Sequence, residues 1–232
     1  IGSVPRSMLE PLLYEDVNIK GTINMLEAAR KAGVSRFVFA SSSSVYGNSE
    51  RLPKVEGYEG LPLSPYALTK KVCEEIASLY SRVYSMQTIG LRYFNVYGKR
   101  QDPESQYAAV IPRFIKNILN KQPIEIFGDG KQTRDFTYID DVVQANIKAC
   151  MASEEAAGQV YNIANGEGTS LLALAEIIEE LLGRSIERKF LKKREGDIMH
   201  SKADISKSME YLGFIPEYSL RRGISETIRW YM

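Results

Sequence analysis

Three short runs rich in β-branched and aromatic residues punctuate this chain: RFVFA at 36–40, TIGLRYF at 88–94 and QVYNIA at 159–164. Between them lie stretches long enough for helices. Strands that alternate with helices pair in parallel, with the helices covering both faces of the sheet. The alternation predicts an α/β fold built on a doubly wound parallel sheet. Residues 12–32 place Leu12, Leu13, Val17, Ile19, Ile23, Met25, Leu26 and Ala29 at spacings that suit one long helix, and Gly33 ends it. RFVFA reads as a short, fully buried strand. A serine cluster and Gly47 break it, and the polar segment 48–65, with three prolines, reads as a loop. Pro65 then opens a second long helix over 66–84. Further helices are predicted at 108–120, 140–152, 170–182, 204–212 and 218–231, with strands at 124–127 and 135–139. No internal repeat and no low-complexity linker divides the chain.

A doubly wound dinucleotide-binding sheet begins with a strand and a glycine-rich turn of the form G-x-x-G-x-x-G. The 232 residues contain no such turn, and the opening IGSVPRS reads as a loop. The expectation is a Rossmann-like sheet whose first strands are missing, roughly 60–90 residues at ~30 or more per βαβ unit. Thirty basic residues nearly balance twenty-nine acidic ones, which argues against a nucleic-acid surface. No apolar run approaches the ~20 residues of a membrane helix, and no signal peptide opens the chain. A cytoplasmic location is expected, with no membrane and no nucleic-acid partner. Cys73 and Cys150 lack metal-ligand spacing and read as ordinary thiols of a reducing compartment. His200 is the only histidine, so no metal site is expected around it.

The chemistry concentrates in three places. In SPYALTK (64–70), Tyr66 and Lys70 stand four apart and share one helix face. A free tyrosine has a pKa of about 10. A nearby ammonium favours the phenolate, which is a route to a general base. Taken alone, Y-x-x-x-K is a weak signal. The second place is the strand that ends in Ser41, Ser42, Ser43 and Ser44, because ligands of open α/β sheets bind at the carboxyl ends of strands. A serine there can bond the same substrate oxygen that the tyrosine deprotonates. The third is LRYFNVYG (91–98), another strand end, carrying Asn95.

SSSSVYG, SPYALTK and GLRYFNVYG, in that order, closely resemble the extended short-chain dehydrogenases that act on nucleoside-diphosphate sugars. The resemblance continues through AAVIPRF, IFGDGKQTRDFTYIDD and REGDIMHSKADISK and covers essentially the whole chain. Within the family, GSVPRS and RYFNVYGKRQDP are most similar to bacterial UDP-N-acetylglucosamine 4-epimerases. The resemblance implies Ser42, Tyr66 and Lys70 as catalytic residues. It implies NAD as cofactor, with Asn18, Tyr66, Lys70 and Tyr93 as its contacts. For a UDP-sugar substrate it implies Gly2, Ser3, Ser42, Ser43, Asn95, Ala109, Val110, Phe127, Arg134, Arg194, Asp197 and Ser201. Arg134 and Arg194 would clamp the pyrophosphate, as guanidinium forks suit phosphate oxygens. Phe127 would stack on uracil, Ala109 and Val110 would offer backbone contacts to the base, and Asp197 would accept from the ribose. Ser43 and Ser44 stand where sugar dehydratases carry Asp-Glu, which argues against dehydration. Ser201 stands where members restricted to unacetylated hexoses carry a bulky Tyr, leaving room for an N-acetyl group.

The implied reaction is NAD-dependent C4 epimerisation of UDP-GlcNAc and UDP-GalNAc in the intact enzyme, with this chain alone inactive. Two alternatives stay open: a UDP-hexose 4-epimerase or UDP-glucuronate decarboxylase of the same fold, and a non-catalytic nucleotide-sugar-binding fragment. The implied division is a dinucleotide-binding part at 1–98 and 131–164 and a smaller α/β substrate-binding part at 99–130 and 165–232. A homodimer through helices 12–32 and 66–84 is expected.

Overall fold

The computed structural model describes residues 1–103, 109–193 and 198–232. The opening segment is not the expected loop. Helix α1 (Val4–Leu9) forms there because Ser3 caps it, accepting from the Arg6 amide at 3.2 Å, and because Pro5 sits in its first turn. The predicted 12–32 helix is present as α2 (Pro11–Tyr14), a π-helical segment (Glu15–Lys20) and α3 (Gly21–Lys31). Gly33, at φ +69°, ends it as expected.

Strand β1 (Arg36–Ser42) follows, then helix α4 (Pro65–Tyr84) and strand β2 (Gln87–Tyr93). Ser64 caps α4 by accepting from the Ala67 amide at 3.1 Å, and Pro65 occupies its first turn. Next come β3 (Val96–Tyr97), α5 (Val110–Leu119), β4 (Ile124–Phe127), β5 (Thr133–Arg134), β6 (Thr137–Tyr138), α6 (Ile139–Met151) and β7 (Gln159–Ile163). The chain finishes with β8 (Thr169–Ser170), α7 (Leu171–Leu182), β9 (Arg188–Leu191), α8 (Ser206–Leu212) and α9 (Leu220–Tyr231). Of the strand expected at 135–139 only β6 forms, while β5 lies just before that span, and the two pair with different partners.

The main sheet is parallel in the order β1-β2-β7, with Ser42 registered against Tyr93 and Tyr93 against Ile163. Alternation along β1 and β2 sorts the side chains between two helical layers. Phe37 and Phe39 pack with Leu26, Ala77 and Tyr80 of α3 and α4. Val38, Ile89, Leu91 and Tyr93 pack with Val142, Ala145 and Ala149 of α6. The sheet is thus covered on both faces. β1 is only partly buried, against the expectation of a fully buried strand, because it lies at one edge of the described sheet.

A second core joins α5, α7, α9 and β4. Ile111, Phe114, Ile115 and Ile118 form the inward stripe of α5 and meet Leu174, Ile178, Ile224 and Ile228. Burying one such side chain is worth about 1.5–3 kcal/mol, so Ile115→Ala in this packed stripe costs about 2–5 kcal/mol. The segment between these two cores carries β3, β5 and β6. No helix among the described residues is long and apolar enough to cross a membrane.

Candidate active site

Ser42 and Tyr93 are register partners at the carboxyl ends of β1 and β2, on the face that α6 covers. Tyr93 donates its hydroxyl to Asn146 Oδ1 of α6 at 3.0 Å. Ser42 caps the short 3₁₀ turn Ser43–Tyr46, accepting from the Ser44 amide at 3.2 Å and the Ser44 hydroxyl at 3.0 Å. Ser43 begins that turn. The first turn of α4 reaches past the strand ends and brings the Tyr66 phenol beside Ser42. Burial pushes the Tyr66 pKa up; the Ser42 hydroxyl opposes this and Tyr14 adds to it.

Lys70 Nζ donates to the Ala40 carbonyl at 2.8 Å, one residue pair before the strand end. The physical reason is that the edge strand offers an open carbonyl within reach of the side chain. Burial lowers the Lys70 pKa, while Cys73 and Glu74 raise it. An ammonium has three donors, so the Ala40 contact does not exhaust it. A cation with spare donors at the carboxyl edge of a parallel sheet fits the ribose of a dinucleotide. Asn18 is buried on the π-helical segment, donating to Thr69 Oγ1 at 3.0 Å while its carbonyl takes the Cys73 thiol at 3.3 Å.

Gly2 joins this cluster to a large cavity. A side chain built on Gly2 would lie 3.6 Å from the Tyr66 hydroxyl, and Gly2 also lines a cavity of about 780 Å³. The same cavity is lined by Ser3, Asn95, Ala109, Val110, Phe127 and Arg134. Seven residues drawn from five separate places in the sequence therefore meet around one space. Asn95 has φ +32° and donates from Nδ2 to the Asp135 carbonyl at 2.9 Å, which fixes the turn between β2 and β3. Arg134 donates to the Thr133 carbonyl at 2.8 Å. Ala109 is the extended N-cap of α5 and makes no side-chain cap bond, and with Val110 it brings the N-terminal end of that helix to the cavity.

Ser201 is nearly buried and its amide donates to the Thr133 carbonyl at 3.2 Å, placing it behind β5 rather than among the described cavity-lining residues. Arg194 and Asp197 lie outside the described residues.

Sequence reasoning missed three supports. Glu74 accepts from Arg92 Nε and NH2, both at 2.8 Å, and from the Ser41 hydroxyl; Arg92 also pairs with Glu59. This ties together the residues next to Ser42, Lys70 and Tyr93. A charge inside the apolar run GLRYF was the available signal. Tyr14 is fully buried and packs edge-on against Tyr66, ring centroids 6.1 Å apart. Asp135 is buried beside Arg134 and had no local signal at all.

The model of the NAD dependent epimerase/dehydratase family matches residues 1–164. A solved structure of UDP-N-acetylglucosamine 4-epimerase from Methanobrevibacter ruminantium M1, in complex with UDP-N-acetylmuramic acid, superposes with a TM-score of 0.95 at 40% identity. That match covers 100% of this chain and 74% of the other. A putative UDP-glucose 4-epimerase of Methanocaldococcus jannaschii is 43% identical over 98% of this chain and 73% of its own length. A UDP-glucuronic acid 4-epimerase from Bacillus cereus, solved with UDP-glucuronic acid and NAD, gives a TM-score of 0.85 at 36% identity, over 93% of this chain and 67% of that one. The fold, the order of the motifs and the family match agree, and the chain belongs to the NAD dependent epimerase/dehydratase family.

Proposed function

We propose that this chain carries the substrate-binding and acid-base half of a UDP-sugar 4-epimerase that interconverts UDP-GlcNAc and UDP-GalNAc. The observation that carries the reading is the continuity between Tyr66 and the cavity: Gly2 lines the cavity and a Cβ placed on it would lie 3.6 Å from the Tyr66 hydroxyl, so a sugar beside the phenol leaves room for its nucleotide along Asn95, Arg134, Phe127, Ala109 and Val110. Tyr66 takes the proton of the 4-hydroxyl at its phenol oxygen, and Ser42 bonds the same substrate oxygen. When bound, NAD supplies a place for the C4 hydride to go and return from. Tyr66, Lys70, Asn18 and Tyr93 are the residues that would hold it. Because burial raises the Tyr66 pKa here, a positive charge beside the phenol is required to make it a base near neutrality. Returning hydrogen to the opposite face of the ring inverts C4. Ser43 and Ser44 supply no carboxyl group for water loss, which disfavours a dehydratase.

Arg134 stands at the cavity wall to meet the pyrophosphate, with Arg194 as its partner and Asp197 on the ribose. Phe127, on the cavity wall, would stack on uracil. The family resemblance supports Ser201 as the size gate, a serine where a bulky Tyr would exclude an N-acetyl group, and Ser3 on the cavity wall offers a hydroxyl to the amide. The likeness to a UDP-N-acetylglucosamine 4-epimerase supports this choice. The matches to glucose and glucuronate enzymes favour a second reading, an unacetylated UDP-hexose or UDP-uronate epimerase. The residues of 1–98 and 131–164 form the dinucleotide part, and 99–130 and 165–232 the substrate part. Exposed Leu12, Met25, Leu79 and Val83 on the helices over 12–32 and 66–84 support a homodimer through these faces. The decisive experiment is product analysis on UDP-GlcNAc, UDP-glucose and UDP-glucuronate, with enzyme extended to its relatives' full length. UDP-GalNAc should form fastest, and Ser201→Tyr should abolish it while sparing UDP-glucose. Equal turnover of UDP-GlcNAc by that variant contradicts the gate.

A further inference from the structure

Arg134 and Asn95 come from segments 39 positions apart, yet both must stand at fixed places in the cavity wall. The backbone between them is anchored from outside the cavity. Asp135 is fully buried, and unlike Arg134 it is not among the described residues that line the cavity. Its Oδ1 accepts from the Asn165 amide and its Oδ2 from the Ala203 amide, each at 3.0 Å. The amides of Gly166 and Glu167 also favour its charge. A buried carboxylate without such donors would be very costly, so the acid and the amides of Asn165 and Ala203 hold one another in place. Its own carbonyl takes Asn95 Nδ2 at 2.9 Å. The strand bearing Arg134 is further bracketed by Thr169 of β8 and by the amide of Ser201, which bonds Thr133.

We propose that Asp135 is the positioning residue of the nucleotide end of this cavity: one buried carboxylate binds the 133–138 segment, the 165–167 turn and the backbone at Ala203 into a unit that sets where Arg134 and Asn95 stand. The proposal rests on the cavity being a UDP-sugar site. An asparagine would fill the same volume, but its amide would present hydrogens to amide hydrogens. The unit would open and Arg134 would lose its setting.

The test is calorimetric titration of the 232-residue chain with UDP-GlcNAc. Asp135→Asn should weaken binding about tenfold or more, which corresponds to about 1.4 kcal/mol. Asp141→Asn is the matched control: Asp141 is likewise buried and accepts from the amides of Glu217 and Tyr218, away from the cavity. It should leave affinity unchanged. In an Arg134→Ala background, Asp135→Asn should cost clearly less than it does alone, because part of its effect acts through Arg134. Affinity within threefold of the parent, full additivity with Arg134→Ala, or an equal loss in Asp141→Asn would each overturn the proposal. No binding by the parent chain would overturn the site reading first, and the proposal with it. Should Asp135→Asn fail to fold, hydrogen exchange on the parent serves instead. UDP-GlcNAc should slow exchange in 165–167 and at 203 together with 133–138, although 165–167 does not line the cavity among the described residues. Protection confined to 133–138 would overturn the proposal.

Discussion

Glu74→Gln is the substitution that most directly probes how the strand ends carrying Ser42 and Tyr93 are held. Arg92 is 1% exposed and the Glu74 side chain 4%, so their two bonds at 2.8 Å are shielded from water. Removing one partner of a buried pair costs about 3–5 kcal/mol, because the other charge stays behind without its counterion. Glutamine keeps the volume and one acceptor oxygen, and Glu59 still pairs with Arg92. The loss therefore falls at the low end, about 3 kcal/mol. For a chain of this size 1 kcal/mol moves Tm by roughly 2–4 °C, so a fall of about 6–12 °C is expected. Thermal and urea unfolding should agree, with an unchanged urea slope. Because the pair is buried, the loss should be the same at low and at molar salt. A loss under about 1 kcal/mol, or one that disappears at high salt, would place the pair among surface ion pairs and refute the reasoning.

Glu59 gives a pH signature. Burial raises its pKa, but Arg92 and the Gly57 amide overcome this and hold it at about 2, below the ordinary 4.5. A depressed folded pKa contributes stability above the unfolded value and loses it as pH falls, so acid unfolding should steepen between pH 4.5 and about 2 and flatten in Glu59→Gln. Asp135 has the opposite sign: burial pushes it up to about 6 against its backbone donors, so its share of stability falls as pH rises from 3.8 to about 6, and Asp135→Asn should remove that slope. Tyr66→Phe, in enzyme of the relatives' full length, should keep UDP-sugar affinity and lose about 10²–10⁴-fold in turnover; near-parental kcat would remove Tyr66 as the base. Gly47 has φ +52°, and an added Cβ would sit 1.9 Å from the Leu61 carbonyl oxygen, so Gly47→Ala should cost at least about 2 kcal/mol in denaturant melts.

What could be read from the sequence was what depends on near neighbours. The helix at 66–84 was legible because Ser64 and Pro65 start it and its apolar stripe sustains it. The strand ends at Ser42 and Asn95 were legible because apolar runs stop abruptly in polar residues. Helix α1 was overlooked although Ser3 and Pro5 are ordinary starting signals, because a six-residue helix has too few turns to show a period. The edge position of β1 depends on which strands lie beside it, which its own residues do not record. The Lys70 contact with Ala40 spans 30 positions, and the Asp135 contacts with Asn165 and Ala203 span 30 and 68. Such pairings follow from the packed fold and leave no periodic trace. Gathering Gly2, Asn95, Phe127 and Arg134 around one cavity was expected only through family resemblance, and in the fold these four line the same space.

The central claim, that Tyr66 and the adjoining cavity serve C4 inversion of a UDP-N-acetylhexosamine, is tested most directly by proton NMR in deuterium oxide. UDP-GlcNAc is incubated with NAD and enzyme extended to its relatives' full length. The account predicts that UDP-GalNAc appears with its C4 hydrogen still protium, because that hydrogen leaves and returns without meeting solvent, and that Tyr66→Phe suppresses the conversion. No UDP-GalNAc, or UDP-GalNAc carrying deuterium at C4, would contradict it.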